Sequence, residues 1–473
     1  MTQCSTKSLT FQPHQRREVV ANFDGLMITS DAGGLLLREL DNKLKLTSRV
    51  AGCFSDHRDF DYIEHSVLEL VRQRIFALTL GYEDLNDHDR LRDDPLLALL
   101  AGKDDLTGQQ RARERDRGHA LAGKSTLNRL ELTPPGASPE SRYKKITANC
   151  SDFSRLFVDL FLDAHQRPPE EIILDFDATD DPLHGHQLGR FFHGYYKQYC
   201  YLPLYIFCGE HLLCAQLRPA DIDASLGTVE QLQRIVPLIR QRWPEVRIVI
   251  RGDSGFCREP IMQWCEKNEV QYILGLAKNE RLKEMIEAQR VAAKLFFDDT
   301  KQAARLFADL RYRTLKSWSC QRRVVAKAEH LSKGENPRFV VTNLTEDQAD
   351  ARTLYEDLYC QRGEMENRIK EQQLCLFADR TSCATMRANQ LRLWFSSVAY
   401  VLLAALRRHG LQGTDHAKAR CDTIRVKLLK IGAQVRVTCR KVWLSLSEAY
   451  PYRELFGQVW QNLQDLPPHP VPG

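Results

Sequence analysis

The spacing of apolar residues changes several times along the chain, and each change marks an element boundary. Residues 1–30 read as extended and turn at Asp31-Ala-Gly-Gly34. From Leu35 to about Leu130 the spacing is helical, clearest over Ile63–Leu80 and Pro95–Ala101, with charged connectors such as Asp87–Asp94 between. Pro134-Pro-Gly-Ala-Ser-Pro139 is turn chemistry and a boundary. A helix over about Tyr143–His165 follows. Strands are then expected at 171–177, Tyr199–Phe207 and His211–Leu217, the last two forming a hairpin about Cys208-Gly-Glu210. A helix (Leu226–Arg242), a strand (Val246–Ile250), a helix (Glu259–Asn268) and a strand (Val270–Gly275) come next. This order predicts antiparallel strands first, then crossovers into parallel pairing. Residues 281–345 read as a β-rich insertion with strands near Leu310–Thr314, Gln321–His330 and Arg338–Thr342. From Thr345 the pattern is helical again, and the stripe Leu391, Trp394, Phe395, Val398 and Leu402 reads as core packing. A strand over Gln434–Leu446 lies near the end, and its basic residues suit DNA or a solvated face equally.

Composition narrows the class. With 473 residues, 43% hydrophobic and 27% charged, the chain suits a soluble protein of several domains. The formal charge of +5 permits nucleic-acid binding without demanding it. Clustering says more: Arg111 to Arg117 holds four Arg in seven residues, a density that suits phosphates as well as a solvated face. Thr126–Glu131 could open a helix that docks on DNA. The 14 Cys include no Cys-x-x-Cys pair, which points to reduced thiols rather than disulfides or a zinc site. His184-Gly-His186 with His193 reads as a polar loop rather than a ligand set. The N-terminus lacks an apolar signal core, and the longest apolar run, Val398–Leu406, is far below the ~20 residues of a membrane span. The expectation is a cytoplasmic prokaryotic protein with no membrane association. Gly118–Ser125 fits the phosphate-loop pattern G-x-x-x-x-G-K-[ST], but charged residues 111–117 precede it where a buried strand is required, so no nucleotide site is expected.

Three stretches carry the candidate chemistry. Glu171–Asp180 reads as a buried strand with Ile172, Leu174 and Phe176 on one face and Ile173, Asp175 and Asp177 on the other. Carboxylates in such a place need a partner such as a cation, although a strand end running into the acidic turn Ala178-Thr-Asp-Asp-Pro182 reads equally well from this stretch alone. Arg251-Gly-Asp-Ser-Gly-Phe256 puts Asp253 at the C-terminal end of an apolar strand, where open α/β sheets place their chemistry, although a helix N-cap would look alike. In Leu358–Gln373, helical spacing puts Tyr359, Arg362, Glu366, Lys370 and Gln373 on one face and Glu364 on nearly the opposite one; a solvated face with salt bridges is the plainer reading.

Taken together, Asp-x-Thr, Gly-Asp-Ser-Gly-Phe and Tyr-x2-Arg-x3-Glu resemble the DDE transposases of bacterial insertion sequences, group 1 of the DDE domains, and most closely the group named for insertion sequence 1380, over about residues 15–465. The resemblance implies an α/β fold: a ribonuclease-H-like catalytic core with a β-rich insertion, preceded by a helical N-terminal region. Residues 1–165 would be the helical DNA-binding region, 166–280 and 346–415 the two parts of the core, 281–345 the insertion and 416–473 a C-terminal region. The 366 − 253 = 113 residues between the second Asp and the Glu leave room for that insertion. Asp177, Asp253 and Glu366 would be the catalytic carboxylates and would hold two Mg²⁺, for which Mn²⁺ can substitute. Asp175 is the rival of Asp177, which is preferred because it carries Asp-x-Thr. Tyr359, Arg362, Lys370 and Gln373 would face DNA; related families have Lys where this chain has Gln373, and Lys370 sits one turn earlier on the same face. The implied activity is cleavage at element ends and joining of the 3′-hydroxyls to target DNA. The implied partner is double-stranded DNA, at terminal inverted repeats and target, bound by a homodimer associated with the nucleoid. The rival expectations are a nuclease of the same fold without strand transfer and a non-catalytic DNA-binding regulator.

Overall fold

Strand Glu171–Ala178 (β1) forms because its alternation gives it one dry face: Ile172, Leu174 and Phe176 are buried in the main core. It sits inside a nine-stranded mixed sheet in the computed structural model, which describes residues 8–467. The other strands are Leu204–Cys208 (β2), His211–Gln216 (β3), Arg247–Gly252 (β4), Gln271–Leu276 (β5), Ala304–Tyr312 (β6), Arg322–Leu331 (β7) and Arg338–Thr342 (β8). They run in the order β3-β2-β1-β4-β5-β8-β7-β6, and Gly334–Glu335 pairs with β7. β2 and β3 pair antiparallel, as do β1 and β2; β4 lies parallel to both β1 and β5. The strands of residues 281–345 continue this same sheet, since β8 pairs antiparallel with β5.

Helices Cys150–Asp163 (α1), Thr228–Arg242 (α2) and Glu259–Lys267 (α3) cover the first face. Their Phe161, Leu232, Ile235, Ile261 and Met262 pack with Ile172, Leu174, Ile248 and Ile250. Each such side chain stabilises the fold by about 1.5–3 kcal/mol when fully buried. The second face is covered differently. Val249, Ile273, Val325 and Val340 pack under Leu354 and Tyr355 of a helical segment that starts at Asp350. Asp350 caps it by accepting from the N–H groups of Arg352 (2.9 Å) and Thr353 (3.2 Å). The segment is not uniform. A wide π-type stretch (Leu354–Tyr359) and a tight 3₁₀ turn (Cys360–Arg362) precede the regular helix Gly363–Lys370 (α4). Such departures from regular pitch cluster at functional sites.

The sheet belongs to one of two compact units, built from Cys150–Leu374 and Ala378–Ser397. The other is drawn from the residues up to Asn149, from Cys375–Phe377 and from Val398 onward. Its helices include Gly34–Leu44, Val67–Leu80 and Pro95–Ala101. Ser66 and Glu69 form a reciprocal capping box at the start of Val67–Leu80. A small sheet joins Met27–Thr29 to Ala433–Val437 and Val442–Leu446.

Some expectations need correction. The single strand expected over Tyr199–Phe207 is two, Gln198–Tyr201 and Leu204–Cys208, belonging to different sheets. Pro203 between them has no N–H to donate to a ladder. The strand expected over Gln434–Leu446 is a hairpin, because the Thr438 hydroxyl accepts from the Lys441 N–H (3.0 Å) and donates to its carbonyl (2.8 Å). The helix expected from Tyr143 begins at Cys150. No helix among the described residues is long and apolar enough to cross a membrane.

Candidate active site

Strand register sets the first two acids side by side. Arg251 of β4 lies opposite Asp175 of β1 and Ile273 of β5. The ladder ends at Gly252, opposite Phe176 and Leu274, so Asp253 leaves it level with Asp177 and Gly275. Asp253 is held in a turn by its own carboxylate, which accepts from the Gly255 N–H (2.8 Å).

The third acid comes from the helical segment over the second face. Arg362 stands between: one guanidinium nitrogen is 3.4 Å from Asp177 and another is 3.0 Å from Glu366. Asp177 and Arg362 are largely buried, whereas the Glu366 side chain is 45% exposed and therefore reachable. Burial pushes the Asp177 carboxyl up to about 7; Arg362 opposes the rise, and the charges of Asp253 and Glu366 add to it. Three acids far apart in sequence thus share one electrostatic neighbourhood.

Asp175 has a different environment. Arg251 forms a bidentate pair with it, at 2.5 and 2.8 Å, with both side chains buried. The third guanidinium nitrogen of Arg251 donates to the carbonyl of Leu358. Arg251 therefore ties sheet to helical segment beneath the acids. Tyr359 lies next along that segment. A Cβ on Gly275 would come within 2.6 Å of the Tyr359 hydroxyl and 2.9 Å of the Ser254 nitrogen, so a side chain at position 275 would collide with both. None of the sequence motifs points to Arg251 or Gly275. The one signal for Arg251 is a cation that ends an apolar strand directly before Gly-Asp.

Residues 11–468 match the family model described as transposase DDE domain group 1. The chain belongs to that family. A cryo-EM structure of the piggyBac transposase synaptic complex with hairpin DNA is also similar, at 11% identity and a TM-score of 0.37, covering 94% of this chain and 87% of that one. No curated protein matches the chain.

The remaining candidates of this DDE-family chain lie as follows. Lys370 is exposed. The Gln373 side-chain amide donates to the Asp180 carbonyl (2.9 Å), joining the helical segment to the chain just past β1. Among the described residues no group of three or more His, Cys, Asp or Glu is arranged to hold a metal ion, and this applies to Asp177, Asp253 and Glu366 as well as to His184, His186 and His193. In Gly118–Ser125, Lys124 pairs with Asp89 (3.1 Å) and the preceding residues Glu114–Asp116 form a short 3₁₀ turn, not a strand. Of the clustered arginines, Arg111 is paired with Glu64 (2.7 Å).

Proposed function

We propose that this transposase cuts DNA at the ends of a bacterial insertion sequence and joins the freed 3′-hydroxyls to target DNA, with Asp177, Asp253 and Glu366 as its catalytic carboxylates. The observation that carries this is Arg362 spanning Asp177 and Glu366 while Asp253 stands level with Asp177. By chemistry the donor set suits hard divalent cations, since its oxygens are all carboxylate, although the three side chains are not gathered into a metal-holding group and Arg362 meets the charge of Asp177 and Glu366. Two Mg²⁺, or Mn²⁺ in their place, would activate the attacking oxygen and relieve charge on the leaving oxygen. Asp175 is the weaker ligand, because both its oxygens are engaged by Arg251.

The chain's own groups have separable tasks. Asp177 and Asp253, on adjacent strand ends, form the rigid part of the site. Glu366 arrives on a helix anchored by the bond from Arg251 to Leu358. Arg362, with its planar fork, and Tyr359 bind phosphates beside the cut, and exposed Lys370 reaches the backbone further along. Strand order β3-β2-β1-β4-β5, antiparallel and then parallel, supports a ribonuclease-H-like core. The arginine-bearing helical region before Cys150 binds duplex DNA, and coordinated cutting of two ends calls for a homodimer on DNA.

Asp253→Asn tests this. The variant should lose cleavage of element-end duplexes in Mg²⁺ while keeping its affinity for them. Cleavage at the wild-type rate would remove Asp253 from the mechanism. Cleaved but never joined ends from the wild-type protein would identify a nuclease without strand transfer.

A further inference from the structure

Between β1 and β2 the chain makes an excursion outside the large sheet. Phe191–His193 and Gln198–Tyr201 form an antiparallel hairpin, with Gly194 to Lys197 as its tip. Its base is fixed. The Leu188 N–H donates to the Ala384 carbonyl (3.0 Å), and the Tyr201 hydroxyl donates to the Leu188 carbonyl (2.6 Å). Its tip is tied to the site, since the Tyr196 hydroxyl donates to the carbonyl of Ala178 (3.2 Å), the residue after Asp177.

The rest of the hairpin has the wrong chemistry for a merely solvated loop. Phe192 and Tyr199 oppose each other across the two strands, with ring centroids 5.6 Å apart, and are 57% and 46% exposed. The Arg190 guanidinium lies over the Tyr199 ring at 4.3 Å and donates to the Gly185 carbonyl, so it is held in place. Tyr195 at the tip is 83% exposed. From Leu183 to Cys200 there is no Asp or Glu, while Arg190 and Lys197 are cationic. Exposed aromatic rings gathered in one patch mark a surface that meets a partner, and rings pair best with another flat group. Rings interleaved with cations match a nucleobase on its phosphate backbone.

We infer that this hairpin is a stacking platform for unpaired nucleotides of the DNA strand being processed, with Phe192, Tyr199 and Arg190 receiving a base and Lys197 its phosphate. The inference rests on the transposase reading of the adjacent acids, and it adds a site that reads no sequence. Every base has a π-face, so the platform tolerates any nucleotide. It supplies a place for the bases that must leave the duplex for a strand end to reach Asp177.

The test uses the full chain and a fluorescein-labelled oligothymidylate of about twenty nucleotides, with a blunt duplex of equal length as control. The Phe192→Ala and Tyr199→Ala variants should each bind the single strand about 5- to 150-fold more weakly, the worth of one stacked base. Duplex affinity should stay within about threefold, showing that the proteins are folded, and Phe192→Tyr should bind the single strand like wild type. Unchanged single-strand affinity in folded alanine variants would overturn the inference, as would loss of self-association alone by light scattering, which would make the face a contact between copies. Mg²⁺-dependent cleavage by the wild type is scored separately. Base binding can fail while cleavage stands, and cleavage can fail while base binding stands.

Discussion

Arg251 illustrates how much one buried side chain organises here. It neutralises Asp175 and satisfies the Leu358 carbonyl at once. Removing one partner of a buried pair leaves the other charge uncompensated, at a cost of about 3–5 kcal/mol. Arg251→Met should therefore lower the urea midpoint strongly, and Arg251→Met with Asp175→Leu should recover much of the loss. An unchanged midpoint in the single variant would contradict the role. Asp181 is a second buried acid, and it is poorly served. Thr381 donates to one oxygen (3.0 Å), while the other lacks a partner in the buried interior. Burial raises its carboxyl well above the ordinary 3.8, with Asp379 and Asp180 adding to the rise. It stays protonated in the folded chain at pH values where the unfolded chain has ionised. Its contribution to stability is thus present at low pH and falls as pH rises above the ordinary carboxylate range. Asp181→Asn should melt progressively higher than wild type between about pH 4 and pH 7. A constant difference across that range would count against the raised value.

At the scale of elements, the site is a row of strand ends beneath an irregular helical segment. Gly275 lets the two approach, because a Cβ there would sit 2.6 Å from the Tyr359 hydroxyl and 3.2 Å from the Asp253 carbonyl carbon. Backbone cannot yield as a side-chain tip can, and such overpacking costs roughly 1–3 kcal/mol. Gly275→Ala should cut the cleavage rate at least about tenfold, a barrier change near 1.4 kcal/mol. Adding Tyr359→Phe should restore only part of the rate, since the Ser254 nitrogen at 2.9 Å still obstructs. Full activity in Gly275→Ala would show that Tyr359 need not lie where it does. The alternation of β1 is legible in the sequence alone: Ile172, Leu174 and Phe176 are buried together as their spacing requires. The break at Pro203 is legible too, and it separates two short strands that apolar spacing by itself merges into one.

For the whole molecule, Asp177, Asp253 and Glu366 repel one another and Arg362 pairs with only two of them, Asp177 and Glu366, so a cation that binds there should stabilise the fold. A ligand at 100 times its dissociation constant adds about 2.7 kcal/mol to stability. Mg²⁺ should raise the wild-type melting temperature in a saturable way, and Asp177→Asn or Glu366→Gln should blunt the rise. Equal shifts in all three proteins would mean that the ion binds elsewhere. By itself the sequence determined which face of β1 each side chain takes, because the strand period is a local property, whereas the irregular pitch of the Leu354–Lys370 segment is not written in a regular helical spacing. It also carried the family, whose model matches residues 11–468. Only tertiary structure decided which faces meet. Ladder register put Asp253 beside Asp177, and the path of the helical segment put Arg362 between Asp177 and Glu366 and turned Gln373 toward Asp180. Those choices follow from packing between elements far apart in the chain, and no local period records them.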